Sequence, residues 1–515
     1  MANRNLFSSK FSKLPKTDAR NEAGGAAYNL TPEQALAQYA VTGTFNGTFY
    51  ASAETQLATL QGLGLQVSPE FLAKTAIYAR QRGHMKDMPA YLCALLSVRD
   101  TELLGRAFPR VVDNGKMVRN FVQMIRSGAV GRRSLGSAPK RLVRAWIDGQ
   151  ADEQLFRQAV GSAPSLADVI KMVHPKPQTP ARSALYGYLL GKGGDTALLP
   201  PLVQAFEAYK ARKTGAPPAV PFQMLTGLEL DRDGWKGIAE HASWQVTRQA
   251  LNTFVRQGVF EDKKLAKLIA ARLADPQEVK KARAFPYQLM SAYLATGNGV
   301  PKDVRDALQD AMEVALQNVP RFAGQVAVCV DVSGSMQSPV TGYRSGATSK
   351  VRCVDVAALV AAAVVRKNPN AMVLPFDTEV RRVDINGRDS VMTNAQRLAM
   401  MGGGTNCSVA LQELNRTKAR VDLVVFVSDN ESWVDMTSGR GTATLQQWTQ
   451  LKRRNPDAKL VNIDIQPYRT TQTAGAEDIL NVGGFSDAVF DVVADFASAR
   501  NDADRWGNTI REIEL

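Results

Sequence analysis

The chain has 515 residues, 45% of them hydrophobic and 22% charged, which suits two to four globular domains and excludes a disordered or collagen-like chain. Its 63 Lys and Arg exceed its 49 Asp and Glu by 14, and the whole excess lies in residues 1–320, with 41 basic against 27 acidic; residues 321–515 hold 22 of each. The longest apolar run, Val356 to Val365, is half the ~20 residues of a membrane span, and the N-terminal MANRNLFSSKFSKLPK has no apolar stretch of the secretory kind. A cytoplasmic protein without a membrane anchor is therefore expected. Cys93, Cys329, Cys353 and Cys407 form no CxxC pair, and with only three histidines a zinc site is a poor fit.

From Leu30 to about Asn318 the apolar spacing predicts helix after helix. Thr31-Pro32-Glu33-Gln34, Ser68-Pro69-Glu70 and Ser165-Leu166-Ala167-Asp168 are helix starts, each with a capping hydroxyl ahead of an amphipathic run. Short turns such as Ser127-Gly128 and Gly161-Ser162 join helices of about 12–18 residues, as in a HEAT-type solenoid, although no strict period repeats. A compact helical bundle is the alternative.

Within this part, Lys116, Arg119, Arg126, Arg132, Arg133, Lys140, Arg141 and Arg144 follow one another with no Asp or Glu between them. Solvated helix faces usually alternate charge, so this run points to a polyanion such as RNA or DNA, with an acidic lipid surface or a merely solubilising face as alternatives. Trp244, Phe254 and Tyr287 read as core residues.

Near residue 320 the pattern changes to buried strand alternating with helix. Gln325–Val330, Ala371–Phe376, Leu423–Val427 and Lys459–Ile465 read as strands; Val354–Val365, Ala395–Met401 and Ala488–Phe496 read as helices. The chain thus divides into residues 1–320, all-α, and residues 321–515, an α/β doubly wound domain with a parallel sheet. The junction from Asn318 to Gly324 is short, so the two should touch. At the carboxyl ends of the strands stand Asp331-Val332-Ser333-Gly334-Ser335, Gly402-Gly403-Gly404-Thr405-Asn406 and Val427-Ser428-Asp429-Asn430, three loops expected at the ligand edge of such a sheet. Two carboxylates and three hydroxyls are hard oxygen donors and favour Mg²⁺ or another divalent cation over zinc or copper. Enzyme chemistry finds no apparatus: Ser333 lacks a GxSxG elbow, His84, His174 and His241 all precede residue 320, and there is no GxxxxGK[ST] loop.

Asp331, Ser333, Ser335, Thr405 and Asp429 together resemble the metal-ion-dependent adhesion site of a von Willebrand factor A domain. That resemblance implies that Ser333, Ser335 and Thr405 ligate the ion or its waters, that Asp331 and Asp429 hold those waters, and that an acidic residue of a partner fills an open position. The basic helical part joined to this domain, with Asp429-Asn430-Glu431-Ser432, Gly403-Gly404-Thr405-Asn406-Cys407-Ser408, Ala40–Gly43, Gly47-Thr48-Phe49-Tyr50, Asp168–Pro177, Trp244–Phe254 and Ala284–Tyr287, resembles the Ro autoantigen family (TROVE module plus A domain) and its bacterial members.

The family resemblance implies a HEAT-like ring closed by the A domain. It implies Y-like small non-coding RNA on the outer face and single-stranded 3′ ends of misfolded or precursor structured RNA, ribosomal RNA among them, in a central hole. It further implies RNA quality control or maturation with polynucleotide phosphorylase or another exoribonuclease. Lys171, His174 and Lys176 resemble an RNA-contacting segment; for His174 a helix-end hydrogen bond is the plainer role. A ring made within one chain predicts a monomer. The competing readings are an adhesion or assembly module with an incidental basic surface, and, less well supported, a Mg²⁺ nuclease, which lacks the carboxylate-bridged metal pair.

Overall fold

The computed structural model describes residues 14–193, 195–212, 216–282, 286–317, 319–343, 350–399, 402–433, 441–484, 486–498 and 504–515. Asn318 of the junction, Ala284 and Phe285 of the Ala284–Tyr287 stretch, and Met400 and Met401 at the end of one expected helix lie outside them.

Two short strands, β1 (Ala19–Arg20) and β2 (Ala26–Asn29), precede an α-helical part running from Pro32 to Ala315. The capping residues act as their chemistry predicts. Thr31 Oγ1 accepts from the Gln34 N–H while the Gln34 side chain accepts from the Thr31 N–H, both at 3.2 Å, which opens helix Pro32–Thr42. Ser68 caps Pro69–Gln81 and Ser165 forms a second capping box on Leu166–Val173. Helix Asp87–Arg99 is buried on every side from Met88 to Ser97, because Pro69–Gln81, Thr101–Val111 and Gly115–Arg126 pack around it. Trp244 and Phe254 are core residues, 1% and 0% exposed, whereas Tyr287 is only partly buried.

The α/β part is a five-stranded parallel sheet built from β3 (Val326–Asp331), β4 (Met372–Phe376), β5 (Leu423–Ser428), β6 (Lys459–Asp464) and, beyond a two-residue β7 (Thr470–Thr471), β8 (Ile479–Gly483). The order is β4-β3-β5-β6-β8, so the chain reverses direction across β3 and the crevice between β3 and β5 is the switch point. Both strands are buried along their whole length, which is why they read as continuous apolar runs rather than alternating ones. Helices Cys353–Lys367, Val391–Leu398 and Asp487–Ser498 match the expected ones with shifted ends; β8 and helices Val409–Arg416, Ala443–Lys452 and Arg505–Arg511 add to them.

This part touches both ends of the helical array. Helix Pro32–Thr42 packs on β8 and Arg505–Arg511 on Pro69–Gln81, while at the far end Pro286–Ala295 packs on Cys353–Lys367 and Lys302–Ala315 on Val391–Leu398. The helices are thereby closed into a ring. The division at residue 320 needs one amendment, since β2 pairs antiparallel with β7, Tyr28 opposite Thr471, and ties residues 19–29 to the α/β part. No helix among the described residues is long and apolar enough to cross a membrane. All four cysteines are buried and none is in a disulfide.

Candidate metal centre and basic cavity

Asp331 ends β3 and is fully buried. Its Oδ1 accepts from the Ser333 N–H at 2.9 Å and its Oδ2 from the Ser428 hydroxyl at 2.6 Å, so β3 and β5 orient it from both sides of the switch point. Ser333 Oγ and Ser335 Oγ stand 3.4 Å apart. The Gly334 N–H donates to Gly403 O at 2.8 Å, which fastens the first loop to the second. Asp377 braces that second loop. Its Oδ2 accepts from Gly403 N–H at 3.1 Å and from Arg381 at 2.7 Å, and a Cβ on Gly402 would lie 2.4 Å from Val332 O, so glycine is required there. Thr405 O accepts from the Trp433 N–H at 3.3 Å, joining the second loop to the third. Asn430 takes a left-handed φ of 60°, which asparagine tolerates, and its side-chain amide donates to Asp464. Asp429 accepts from the Glu431 N–H at 3.3 Å and is hydrogen-bonded by Ser335.

The five expected residues therefore meet, each 4% exposed or less. Burial, then the neighbouring Asp429 charge, pushes the Asp331 carboxyl up to about 7; burial raises Asp429 as well. Asp464 and Glu431 are raised well above the carboxylate range for the same first reason. Glu431 Oε2 accepts from the Glu22 and Ala23 N–H groups at 2.6 and 3.3 Å, while Oε1 is buried with no partner among the described residues. Hard oxygen donors, two buried carboxylates in mutual repulsion and an orphaned buried oxygen fit a divalent cation. No group of three His, Cys, Asp or Glu among the described residues is arranged for a metal, so the hydroxyls of Ser333, Ser335 and Thr405 are indispensable to that fit.

The basic run is not one patch. Lys116 is exposed and lines an interior cavity. Arg119 is buried and donates to Gln158 O at 3.2 Å. Arg132 is partly buried and donates to Ser134 O at 2.7 Å and Ser97 O at 3.1 Å. These two guanidinium groups satisfy backbone carbonyls at turns, which removes them from the surface expected of them. Arg126 and Arg144 are exposed on helices packed against Leu166–Val173, where Arg126 reaches Met172 Sδ at 3.0 Å and Arg144 donates to Val173 O. They share that neighbourhood with exposed Lys171 and with His174, exposed at the left-handed C-cap of that helix, φ 51°. Arg133, Arg141 and Lys176 are exposed and Lys140 is partly buried.

Inside the ring, two adjoining cavities of about 810 and 610 Å³ share His84, Lys86 and Gln288. Arg80, Arg82, Arg110 and Lys116 add to their cationic lining, against Asp87, Asp113 and Asp491. The walls come from the first helices, the last helices and Asp487–Ser498 of the α/β part. Enclosure, then Lys116 and Arg80, holds the Lys86 ammonium below the usual lysine range, as expected of a cation surrounded by its own sign. Of this cluster sequence reasoning named Lys116 alone, because the other members are spread through distant segments; the remaining local signal was the Arg-Gln-Arg-Gly-His-Met-Lys stretch, Arg80–Lys86.

The family model described as the Ro60 vWA domain matches residues 325–497. The RNA-binding protein RO60 of Deinococcus radiodurans is 26% identical over 519 residues, spanning 94% of this chain and 96% of that protein. The RNA-binding protein RO60 of Caenorhabditis elegans is 22% identical over 269 residues, 46% of this chain and 38% of that protein. The crystal structure of the D. radiodurans RO (RSR) protein shares the fold with a TM-score of 0.62 at 21% identity, covering 91% of this chain and 99% of that one. A helical ring closed by a domain that matches the Ro60 vWA model, with sequence likeness running through both parts, makes this chain similar to the Ro proteins over nearly its whole length.

Proposed function

We infer that this protein is a non-catalytic RNA-binding scaffold of a small ribonucleoprotein. The observation that carries the reading is the pair of adjoining cationic cavities enclosed by the ring. Arg82, His84, Lys86 and Lys116 line adjoining cavities of about 810 and 610 Å³, a cationic lining suited to the phosphates of a single-stranded 3′ end. The relatives named as RNA-binding proteins support the same class of ligand. On the outside, Arg126, Arg144, Lys171 and His174 offer phosphate contacts to a Y-like small RNA. Shape and backbone, more than base sequence, then decide recognition.

The metal centre takes Mg²⁺ or a similar cation through Ser333, Ser335 and Thr405, with Asp331 and Asp429 holding its waters. Its role is architectural, at the junction of the ring. The protein works in the cytoplasm as a monomer and delivers misfolded or precursor structured RNA to an exoribonuclease such as polynucleotide phosphorylase.

A hairpin RNA with a single-stranded 3′ tail, compared with the same hairpin blunt-ended, tests this. The tailed RNA binds more tightly, and Arg82→Ala with Lys86→Ala abolishes the difference. Equal binding of both RNAs by the wild type would refute the cavity reading, and degradation of either RNA by the pure protein would refute the non-catalytic one.

A further inference from the structure

The Gly47-Thr48-Phe49-Tyr50 stretch belongs to the helical part, yet the segment leading into it is seated on residues 341–343, which follow the first metal-edge loop. Thr44 and Asn46 donate to Thr341 O at 3.1 and 2.9 Å, and the Tyr343 N–H donates to Gly47 O at 2.7 Å. Gly342, at φ 72°, makes that approach possible, since a Cβ there would lie 2.7 Å from Gly47 O. The seated loop carries Tyr50 to the metal edge. Its hydroxyl is hydrogen-bonded to Ser335, and Asp429 is the strongest charge acting on it. Its ring packs edge-on against Phe49 at 4.7 Å and Tyr468 at 6.0 Å. Beneath it, the Tyr468 hydroxyl is buried with no hydrogen-bond partner among the described residues.

The five candidate ligands are thus covered in a ring that has already closed. We propose that Tyr50 is the built-in occupant of the open side of the metal centre, so that the helical part, and not the acidic residue of a separate protein, faces the ion. This rests on the reading of Ser333, Ser335, Thr405, Asp331 and Asp429 as a divalent-cation site, and goes beyond it by assigning that site an intramolecular ligand and a specificity. With the phenol in place, access is denied to a carboxylate.

The test uses the full chain with Mn²⁺ as the probe, read by calorimetry and by water-proton relaxation of the bound ion, with acetate as a model carboxylate. Mn²⁺ binds wild type and binding is lost in Ser333→Ala. Relaxation of the wild-type complex is unchanged by acetate. Tyr50→Phe, which keeps the ring packing, and Tyr50→Ala each gain about the contribution of one exchangeable water, and in Tyr50→Ala acetate removes that gain. A wild-type complex that already responds to acetate, or variants indistinguishable from wild type, would overturn the assignment of Tyr50 while leaving the metal site standing. No Ser333-dependent Mn²⁺ binding at all would overturn both.

Discussion

The metal edge and the ring cavity hold charge in opposite ways. At the metal edge Asp331 and Asp429 are out of contact with water, fixed by backbone and hydroxyl hydrogen bonds, and repel one another without a cation among the groups that shift them. In the cavity Lys86, Lys116 and Arg82 keep access to water, while partial enclosure and then the neighbouring cations act on Lys86, and Asp113 is paired to Arg80 at 2.6 Å. In the function proposed above, the first arrangement would select one small ion by geometry and the second would attract an extended polyanion by field, because exposed charges in water discriminate little by position. One loop, residues 43–50, borders both: Thr44 and Asn46 line the smaller cavity while Tyr50 reaches the metal edge.

The largest effect that would break this comparison is at the metal edge. Asp331→Asn removes a buried charge and the orientation it provides, so calorimetry should find Mn²⁺ affinity reduced by about 100-fold, the upper range for outer-shell partners. Chemical denaturation in chelator at pH 8 should find the same variant no less stable than wild type, since an unpaired buried carboxylate has been neutralised. A cavity change behaves differently. Replacing Arg82 and Lys86 by Ala should reduce the slope of log K against log salt for a single-stranded tail by about 1.4, two phosphate contacts at ~0.7 each.

A subtler contrast separates the residues of the basic run. Arg119→Ala strands the Gln158 carbonyl and should lower stability by about 1–3 kcal/mol with the salt slope unchanged. Arg126→Ala, exposed beside Lys171, should do the reverse, reducing the slope for hairpin RNA by about 0.9 with stability unchanged. Parallel denaturation and binding titrations separate the two outcomes. A last contrast concerns pH. Asp331 is held up to about 7, so between the ordinary aspartate value and 7 the folded protein keeps a proton that the unfolded chain has released. Stability of the metal-free protein should therefore fall as pH rises from 5 to 7.5, and saturating Mg²⁺ should cancel that fall; thermal scans with and without chelator measure both.

The helix starts at Thr31, Ser68 and Ser165, the four long strands and the placement of Asp331, Ser333, Ser335, Thr405 and Asp429 at the strand ends were legible, because each depends on neighbours within a few residues. A capping box spans four residues, and a ligand at a strand end is placed by the strand that carries it. Strand β2 and its pairing with β7 were not legible, because four residues of Ala-Ala-Tyr-Asn have no pattern of their own and acquire a partner more than 400 residues away. The same limit hid Gln38, whose amide reaches Asp464 Oδ2 at 2.6 Å across the junction.

The basic run shows the boundary most clearly. Its composition determined that positive charge would concentrate in the helical part, since a count needs no geometry. Which cations face solvent, cavity or carbonyl was decided only by helix rotation and by the turns at Gly136 and Gly161, against which Arg132 and Arg119 lie. The sequence by itself determined the two architectures and which hydroxyls and carboxylates gather at the strand ends, through local periodicity and motif. Tertiary structure alone decided that the ring closes, that its cations converge from distant helices, and that Tyr50 covers the metal edge, because each is a contact between segments whose separation along the chain leaves no local trace.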